Sequence, residues 1–187
     1  MKDKTLLYEQ IALVAKAVAS PKRLELLDYL SQAEKSVEAL SEQAGISMKL
    51  ASSHLQELRG ARLVETRRDG RFIFYRVADN DVVKLLVSLR LLAEQRLANV
   101  QETLQGYAHS RENMTTLGRR ELIEKAESGE VIVIDVRPRD EFEAGHLPNA
   151  RSVPIAELKK MIGKLPKSKE IVVYCRGAYC ILSRDAV

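Results

Sequence analysis

The sequence predicts two domains of different class, an α+β domain over residues 1–105 and an α/β domain over residues 116–187, joined by a linker over 106–115. Three observations carry this. The first half places apolar residues at helical spacing and then two strand-like runs about an Asp69-Gly70 turn. GYAHSRENMTT, residues 106–116, is polar and without period. Beyond it, short Val- and Ile-rich runs alternate with helical stretches, the pattern of a mainly parallel sheet.

Composition bounds the function classes. The chain has 187 residues, 45% hydrophobic and 30% charged, enough to bury a core in each of two small domains. In the opening segment LLYEQIALVAKAVAS, Glu9, Gln10 and Lys16 interrupt the apolar run that a secretory signal requires. No stretch approaches the roughly 18 apolar residues of a membrane span, so no membrane partner is expected. With two cysteines, Cys175 and Cys180, a disulfide framework is not expected; a reducing cytoplasm is, and with it thiol chemistry. The net charge of +4 divides evenly between the halves, but residues 47–76 hold seven basic side chains against three acidic. Such a cluster is by itself commonly a solvated face.

Each element of the first half has a local reason. Leu7, Ile11, Val14 and Val18 form an amphipathic stripe. Ser20 is expected to cap a second helix with Pro21 at its first position and Leu24, Leu27 and Leu30 as its apolar face. A short helix over VEALSEQAG follows Ser36 and stops at Gly45, and Ser47 caps the next, MKLASSHLQELRG. Two helices joined so tightly are a helix-turn-helix. In the second of them Ala51, Leu55 and Leu58 make the buried stripe. Lys49, Ser52, Ser53 and Gln56 then fall on the opposite side, where hydroxyls, an amide and an amine reach base edges, with His54 at the edge of that face. The hairpin ARLVETRRDGRFIFYRVAD carries Arg67, Arg68 and Arg71 around its turn, as a wing that grips phosphates would. From Asp79 to about Gln105 one long helix is expected, roughly 39 Å at 1.5 Å rise per residue. Its stripe Val82, Leu86, Leu89, Ala93, Leu97, Val100 and Leu104 outruns a small core, which predicts a homodimer through residues 80–105.

SPKRLELLDYL, followed by SMKLASSHLQELRGARLVETRRDGRFIFYRV, resembles the ArsR family of winged helix-turn-helix repressors over roughly residues 5–105. The resemblance implies a dimeric repressor that binds a double-stranded DNA operator and is released by an inducer. The chain departs from metal-sensing members: SVEALSEQAG lacks their paired cysteines, and the long helix has no histidine among its acidic residues. No cofactor and no metal site is therefore expected, and the signal should enter elsewhere.

In the second half LGRRELIEKAESG is a helix ending at Gly129, VIVIDV a buried strand, ELKKMIGKL another helix and IVVYC a second buried strand. Functional loops of such sheets lie beyond the carboxyl ends of the strands, where Cys175 stands. Gly177 lets the loop RGAYC turn backbone amides inward before a helix that starts in ILSRDAV. Amides at a helix N-terminus favour a thiolate, so Cys175 is expected to have a lowered pKa, with Arg176 adding positive potential. An inert buried cysteine is the alternative at a bare strand end.

VIVIDVRPRDEFEAGHLPNARSVP and YCRGAYC resemble the first signature and the persulfide-carrying loop of the rhodanese family over residues 116–187. The resemblance implies sulfane-sulfur transfer, with a Cys175 persulfide cradled by the amides of residues 176–180, and structural roles for Asp135, Arg137 and His146. Phosphatase-like relatives of the loop place an arginine six positions after the cysteine, where this chain has Ile181, which disfavours oxyanion chemistry. Cys180 either attacks a persulfide or anchors the helix as a small buried residue. A rhodanese domain continues with another strand and helix and usually a tryptophan, so this one is expected to lack its usual C-terminal part. The leading reading is a cytoplasmic repressor whose second half senses or transfers sulfane sulfur, with a small sulfur species or thiol acceptor as partner. The rival is a sulfurtransferase that uses its winged helix for localisation or autoregulation, and a weaker third is a metal sensor at Cys175, Cys180 and His146.

Overall fold

The structure is a computed structural model that describes residues 2–109, 118–166, 168–177, 179, 180 and 182–186. The chain divides into two compact units, Met1–Ala93 and Glu94–Val187.

The first unit packs α1 (Lys2–Val18), α2 (Pro21–Leu30), α3 (Val37–Gln43), α4 (Met48–Gly60) and the start of α5 (Asn80–Arg96) around one core, with a sheet at one side. The sheet has three antiparallel strands in the order β1-β3-β2, with β1 Lys35–Ser36, β2 Val64–Asp69 and β3 Phe72–Val77. Leu26, Leu27, Leu40, Leu55 and Leu58 are fully buried at its centre. Tight local signals set the helix-turn-helix. Ser36 accepts the Ala39 amide at 3.3 Å and Ser47 the Leu50 amide at 3.3 Å, so each helix starts on a capping hydroxyl. Gly45 takes φ +60, the left-handed turn between them.

Several expectations are corrected. Ser20 is extended and Pro21 opens α2, but the Ser20 side chain makes no capping bond. Lys22 and Arg23, the next residues, bind helix ends instead: Lys22 Nζ donates to the Ala44 carbonyl at 2.6 Å, and Arg23 Nη2 to the Lys16 carbonyl at 2.7 Å. Cations on the exposed carbonyls at helix C-termini satisfy both hydrogen bonding and the dipole. Leu26 replaces Leu24 in the buried set of α2, because α2 meets α1, α4 and β3 and so buries a broad face; Leu24 is half-buried. On α1, Val18 is buried, whereas Leu7 and Ile11 are 65% and 64% exposed, since the first turns extend past the core.

The hairpin turns at Gly70-Arg71, with Asp69 paired to Phe72, one position beyond the expected Asp69-Gly70 centre, and Gly70 has φ +57. The strand β1 was not foreseen; two residues carry too little pattern. Asp79 accepts the Asp81 and Val82 amides at 2.8 and 3.2 Å and so starts α5. The expected single long helix is interrupted at Leu97, after which α6 (Ala98–His109) runs four residues into the expected linker; residues 110–115 of that linker lie outside the described residues.

The second unit contains α7 (Arg119–Ser128), β4 (Val131–Asp135), α8 (Arg139–Ala144), β5 (Arg151–Ser152), α9 (Ile155–Met161), a 3-10 turn over Ile162–Lys164, β6 (Glu170–Tyr174) and α10 (Leu182–Asp185). The strands are parallel in the order β5-β4-β6, so the wholly buried β4 is central, as its unbroken apolar run requires. Gly129 ends α7 at φ +73 as expected, while α8 and β5 were not foreseen. Among the described residues no helix is long and apolar enough to cross a membrane.

Core burial on α4 has a measurable consequence. Leu55→Ala should lower stability by about 3 kcal/mol in urea unfolding, because a fully buried leucine leaves a cavity. Leu50→Ala, at a 43% exposed site on the same helix, should change it by less than about 0.5 kcal/mol.

Candidate functional sites

The first site is the outer face of α4 with the hairpin. Ala51, Leu55 and Leu58 anchor the helix inward at 0% exposure. Lys49, Ser53 and Gln56 are thereby exposed, and Ser52 and His54 lie half-buried at the flanks. Met48 and Leu50 are exposed on the same helix, apolar neighbours that the sequence reading did not include.

The three hairpin arginines are not equivalent. Arg67 donates through Nη2 and Nε to the Glu34 carboxylate, at 2.6 Å to Oε1 at its shortest, and through Nη1 to Asp69 Oδ2 at 3.2 Å. It also stacks over Phe74, its cross-strand neighbour, at 5.0 Å. The Arg67 hydrogen bond holds the Glu34 carboxyl below the usual carboxylate range. Arg68 is exposed and, by strand alternation, points to the other side of the hairpin from Arg67. Arg71 is exposed and lies over Phe72 at 5.0 Å. Arg67 is thus a tether of the hairpin to the loop before β1, which its neighbours on the chain gave no means of anticipating.

The second site lies at the carboxyl ends of β4 and β6, where Asp135 pairs with Tyr174 and the Val136 amide donates to the Tyr174 carbonyl at 3.2 Å. This register brings the residues after Asp135 beside those after Tyr174. Asp135, fully buried, accepts from the Arg137 amide at 3.0 Å and from its guanidinium at 2.6 to 3.1 Å. Arg137 Nη2 also donates to the Gly145 carbonyl at 2.7 Å and so fastens the end of α8. The Leu147 amide donates to the Tyr174 hydroxyl at 3.1 Å. Burial, with a hydrogen bond to Asp135, pushes the Tyr174 phenol up to about 12. His146 is exposed, stacked on Phe142 at 3.8 Å, with Nδ1 2.8 Å from the Phe142 carbonyl.

Cys175 follows β6 directly and is half-buried; Cys180 is buried, and both are free thiols. Cys175 Sγ donates to the Cys180 carbonyl at 3.6 Å and lies 4.0 Å from the Gly177 carbonyl. The Cys180 amide donates to the Gly177 carbonyl at 2.9 Å, with Gly177 at φ +123. That amide therefore closes a turn in the loop and is not turned toward Cys175; Ala178 and Ile181 lie outside the described residues.

Arg176 is also differently employed from the expectation. Its Nε and Nη2 donate to the two oxygens of Glu141, at 2.7 and 2.6 Å, and Nη1 lies 3.7 Å from Cys180 Sγ. Both members of the pair are buried, at 8% and 0% side-chain exposure. The positive charge is thus compensated by Glu141 and directed at Cys180. The Cys180 thiol is pushed up, first by its hydrogen bond with Cys175 and next by burial. Glu141 is the residue of this site whose role the sequence reading missed; its place in the first signature was the available signal. Among the described residues no group of three His, Cys, Asp or Glu side chains could hold a metal ion, and His146 is occupied with Phe142.

A winged helix-turn-helix joined in one chain to an α/β unit with a cysteine loop defines a regulator of transcription with an appended module. Models of two families match: the bacterial regulatory protein, arsR family, over residues 20–66, and the rhodanese-like domain over residues 119–186. The HTH-type transcriptional regulator Rv0324 of Mycobacterium tuberculosis is 42% identical over 184 residues, 98% of this chain and 80% of that protein. The chain belongs to the arsR family of regulatory proteins, in the form that carries a rhodanese-like domain. The nodulation protein NolR of Rhizobium meliloti is 44% identical over 73 residues, 39% of this chain and 60% of that one. The solution structure of the homodimeric winged helix-turn-helix DNA-binding domain of Mb0332 from Mycobacterium bovis is 40% identical, at a TM-score of 0.48, over 51% of this chain and 89% of that one.

Two outcomes are expected from the second site. Glu141→Ala strands the buried Arg176 charge and should cost about 3 kcal/mol or more, read as the unfolding midpoint of this unit. The folded state holds the Tyr174 proton more tightly than the ordinary value of 10.0, so this group stabilises below pH 10 and the contribution is lost as pH rises through about 12. Urea unfolding at stepped pH across that window should show a shallower decline in Tyr174→Phe than in wild type.

Proposed function

We propose that the protein is a cytoplasmic, dimeric DNA-binding repressor whose rhodanese-like unit takes up sulfane sulfur at Cys175 as its regulatory input. The observation that carries this reading is the reachable Cys175 at a strand's carboxyl end beside a second, buried thiol, in a chain whose DNA-binding half has no cysteine. Uptake is a thiol reaction: Cys175 Sγ bonds to the outer sulfur of a polysulfide, and the shortened polysulfide leaves with the electron pair of the broken S–S bond.

On the DNA side, Lys49, Ser52, Ser53 and Gln56 address base edges, with His54 beside them. Arg68 and Arg71 meet phosphates, and Arg67 orients the hairpin through Glu34. The exposed Leu6, Leu7 and Ile11 on α1 and Leu91 and Leu92 on α5 support a homodimer, which would bury them; the dimer interface then includes α1 as well as the helix over residues 80–96. A two-fold dimer matches a palindromic operator.

Both halves of the reading are measurable. If the dimer neutralises about eight phosphates, log affinity should fall with log salt at a slope near −7, and Arg68→Ala should make the slope shallower by about 2, one per protomer. A flat salt dependence would contradict it. Polysulfide should change the mass of the wild-type peptide that contains Cys175, while in Cys175→Ser the corresponding peptide stays unchanged; an unaltered wild-type peptide would remove the sulfur input.

A further inference from the structure

We propose that Cys175 and Cys180 act in sequence: once Cys175 carries a sulfane sulfur, Cys180 displaces it as hydrogen sulfide and closes a Cys175–Cys180 disulfide. This rests on sulfur uptake by Cys175 and adds what becomes of the sulfur.

The two thiols differ in access. Cys175 is half-buried and Cys180 only 9% exposed, so a dissolved donor meets Cys175 first. They are nonetheless neighbours. Cys175 Sγ reaches the Cys180 carbonyl at 3.6 Å, and the turn closed by the Cys180 amide on Gly177 folds the loop back on itself.

Arg176 supplies the remaining part. Two of its nitrogens are fixed on the buried Glu141, which places the third 3.7 Å from Cys180 Sγ. A guanidinium keeps its charge at any working pH, and beside a sulfur it favours the thiolate. In the reduced loop the neighbouring Cys175 and burial both push the Cys180 thiol up. Converting Cys175 to a persulfide moves its ionisable group one sulfur outward and leaves Cys175 Sγ as an electrophile bearing a leaving group. Without the sulfane sulfur Cys175 has no leaving group, so no disulfide closes until Cys175 is loaded.

The step balances without a further oxidant. A bond forms between Cys180 Sγ and Cys175 Sγ, and the bond from Cys175 Sγ to the sulfane sulfur breaks. Its electron pair leaves with the departing sulfur, which takes up the Cys180 proton and is released as hydrogen sulfide. The dithiol is oxidised to the disulfide and the donor's sulfane sulfur is reduced to sulfide. Hydrosulfide is a weak base and therefore a good leaving group.

The test treats the reduced full chain with inorganic polysulfide, removes the excess, and follows intact mass, alkylation by iodoacetamide and sulfide release. Wild type should lose the mass of two hydrogens, resist alkylation at both cysteines, release one sulfide per chain and recover both thiols with a dithiol reductant. Cys180→Ser should retain the added sulfur on Cys175 and release none. In Arg176→Lys the pH midpoint of closure should move upward, which a purely structural role would not produce. A stable wild-type persulfide with Cys180 still alkylatable overturns the proposal and leaves sulfur uptake standing. So does a trisulfide formed without sulfide release. If neither wild type nor Cys180→Ser takes sulfur at Cys175, the underlying reading falls as well. The wild-type measurements decide the matter even if a variant fails to fold.

Discussion

The arrangement of the cysteine loop depends on one buried ion pair, Arg176 with Glu141. The two residues stand 35 apart in the chain, and their fork-to-carboxylate contact ties the loop after β6 to the helix after β4. Taking both charges out of water is costly, and only the two-pronged geometry offsets it. What the pair secures is direction. With two nitrogens fixed on Glu141, the third lies 3.7 Å from Cys180 Sγ. Asp135 and Arg137 perform a parallel task, closing the loop between β4 and α8 onto Gly145.

The DNA-binding unit uses charge differently. Lys22 and Arg23, at the start of α2, both donate to carbonyls at the ends of other helices. Arg67 is likewise engaged, in a surface pair with Glu34. Positive charge in this unit is therefore divided between residues engaged with other parts of the scaffold and residues such as Lys49 that stay exposed on α4, and proximity in sequence does not separate them. Ala51, Leu55 and Leu58 settle the orientation of α4 by being fully buried, and the exposure of Lys49, Ser53 and Gln56 follows from that burial.

What was legible in the sequence was local. Gly45, Ser47 and Gly129 act through the dihedrals or hydroxyls of their own few residues, and each performs as its type predicts. The periodicity of α4 and the apolar run of β4 read correctly because a single face, or both faces, are buried along their whole length. Ser20 failed as a side-chain cap although its neighbour Pro21 opens the helix as expected. The break at Leu97 was hidden because the apolar spacing continues through it. The contacts that define the sites, Arg67 with Glu34 and Arg176 with Glu141, join residues 33 and 35 positions apart, and pairings at such distance leave no local pattern to read.

The chain carries a family's DNA-binding fold and, in the same polypeptide, a thiol pair with unequal access; the reading of it as a sulfur-responsive regulator requires that chemistry at Cys175 reach the DNA. Reciprocal coupling demands that loaded and unloaded forms bind DNA with different affinity. The direct measurement is the affinity of the full chain for its operator before and after polysulfide treatment, in wild type and in Cys175→Ser, at one fixed salt concentration. Coupling in the usual range predicts a loss of about tenfold or more in wild type, equivalent to about 1.4 kcal/mol, and no change in Cys175→Ser. Equal wild-type affinities, with Cys175 verified as modified, would contradict a regulatory role for the loop.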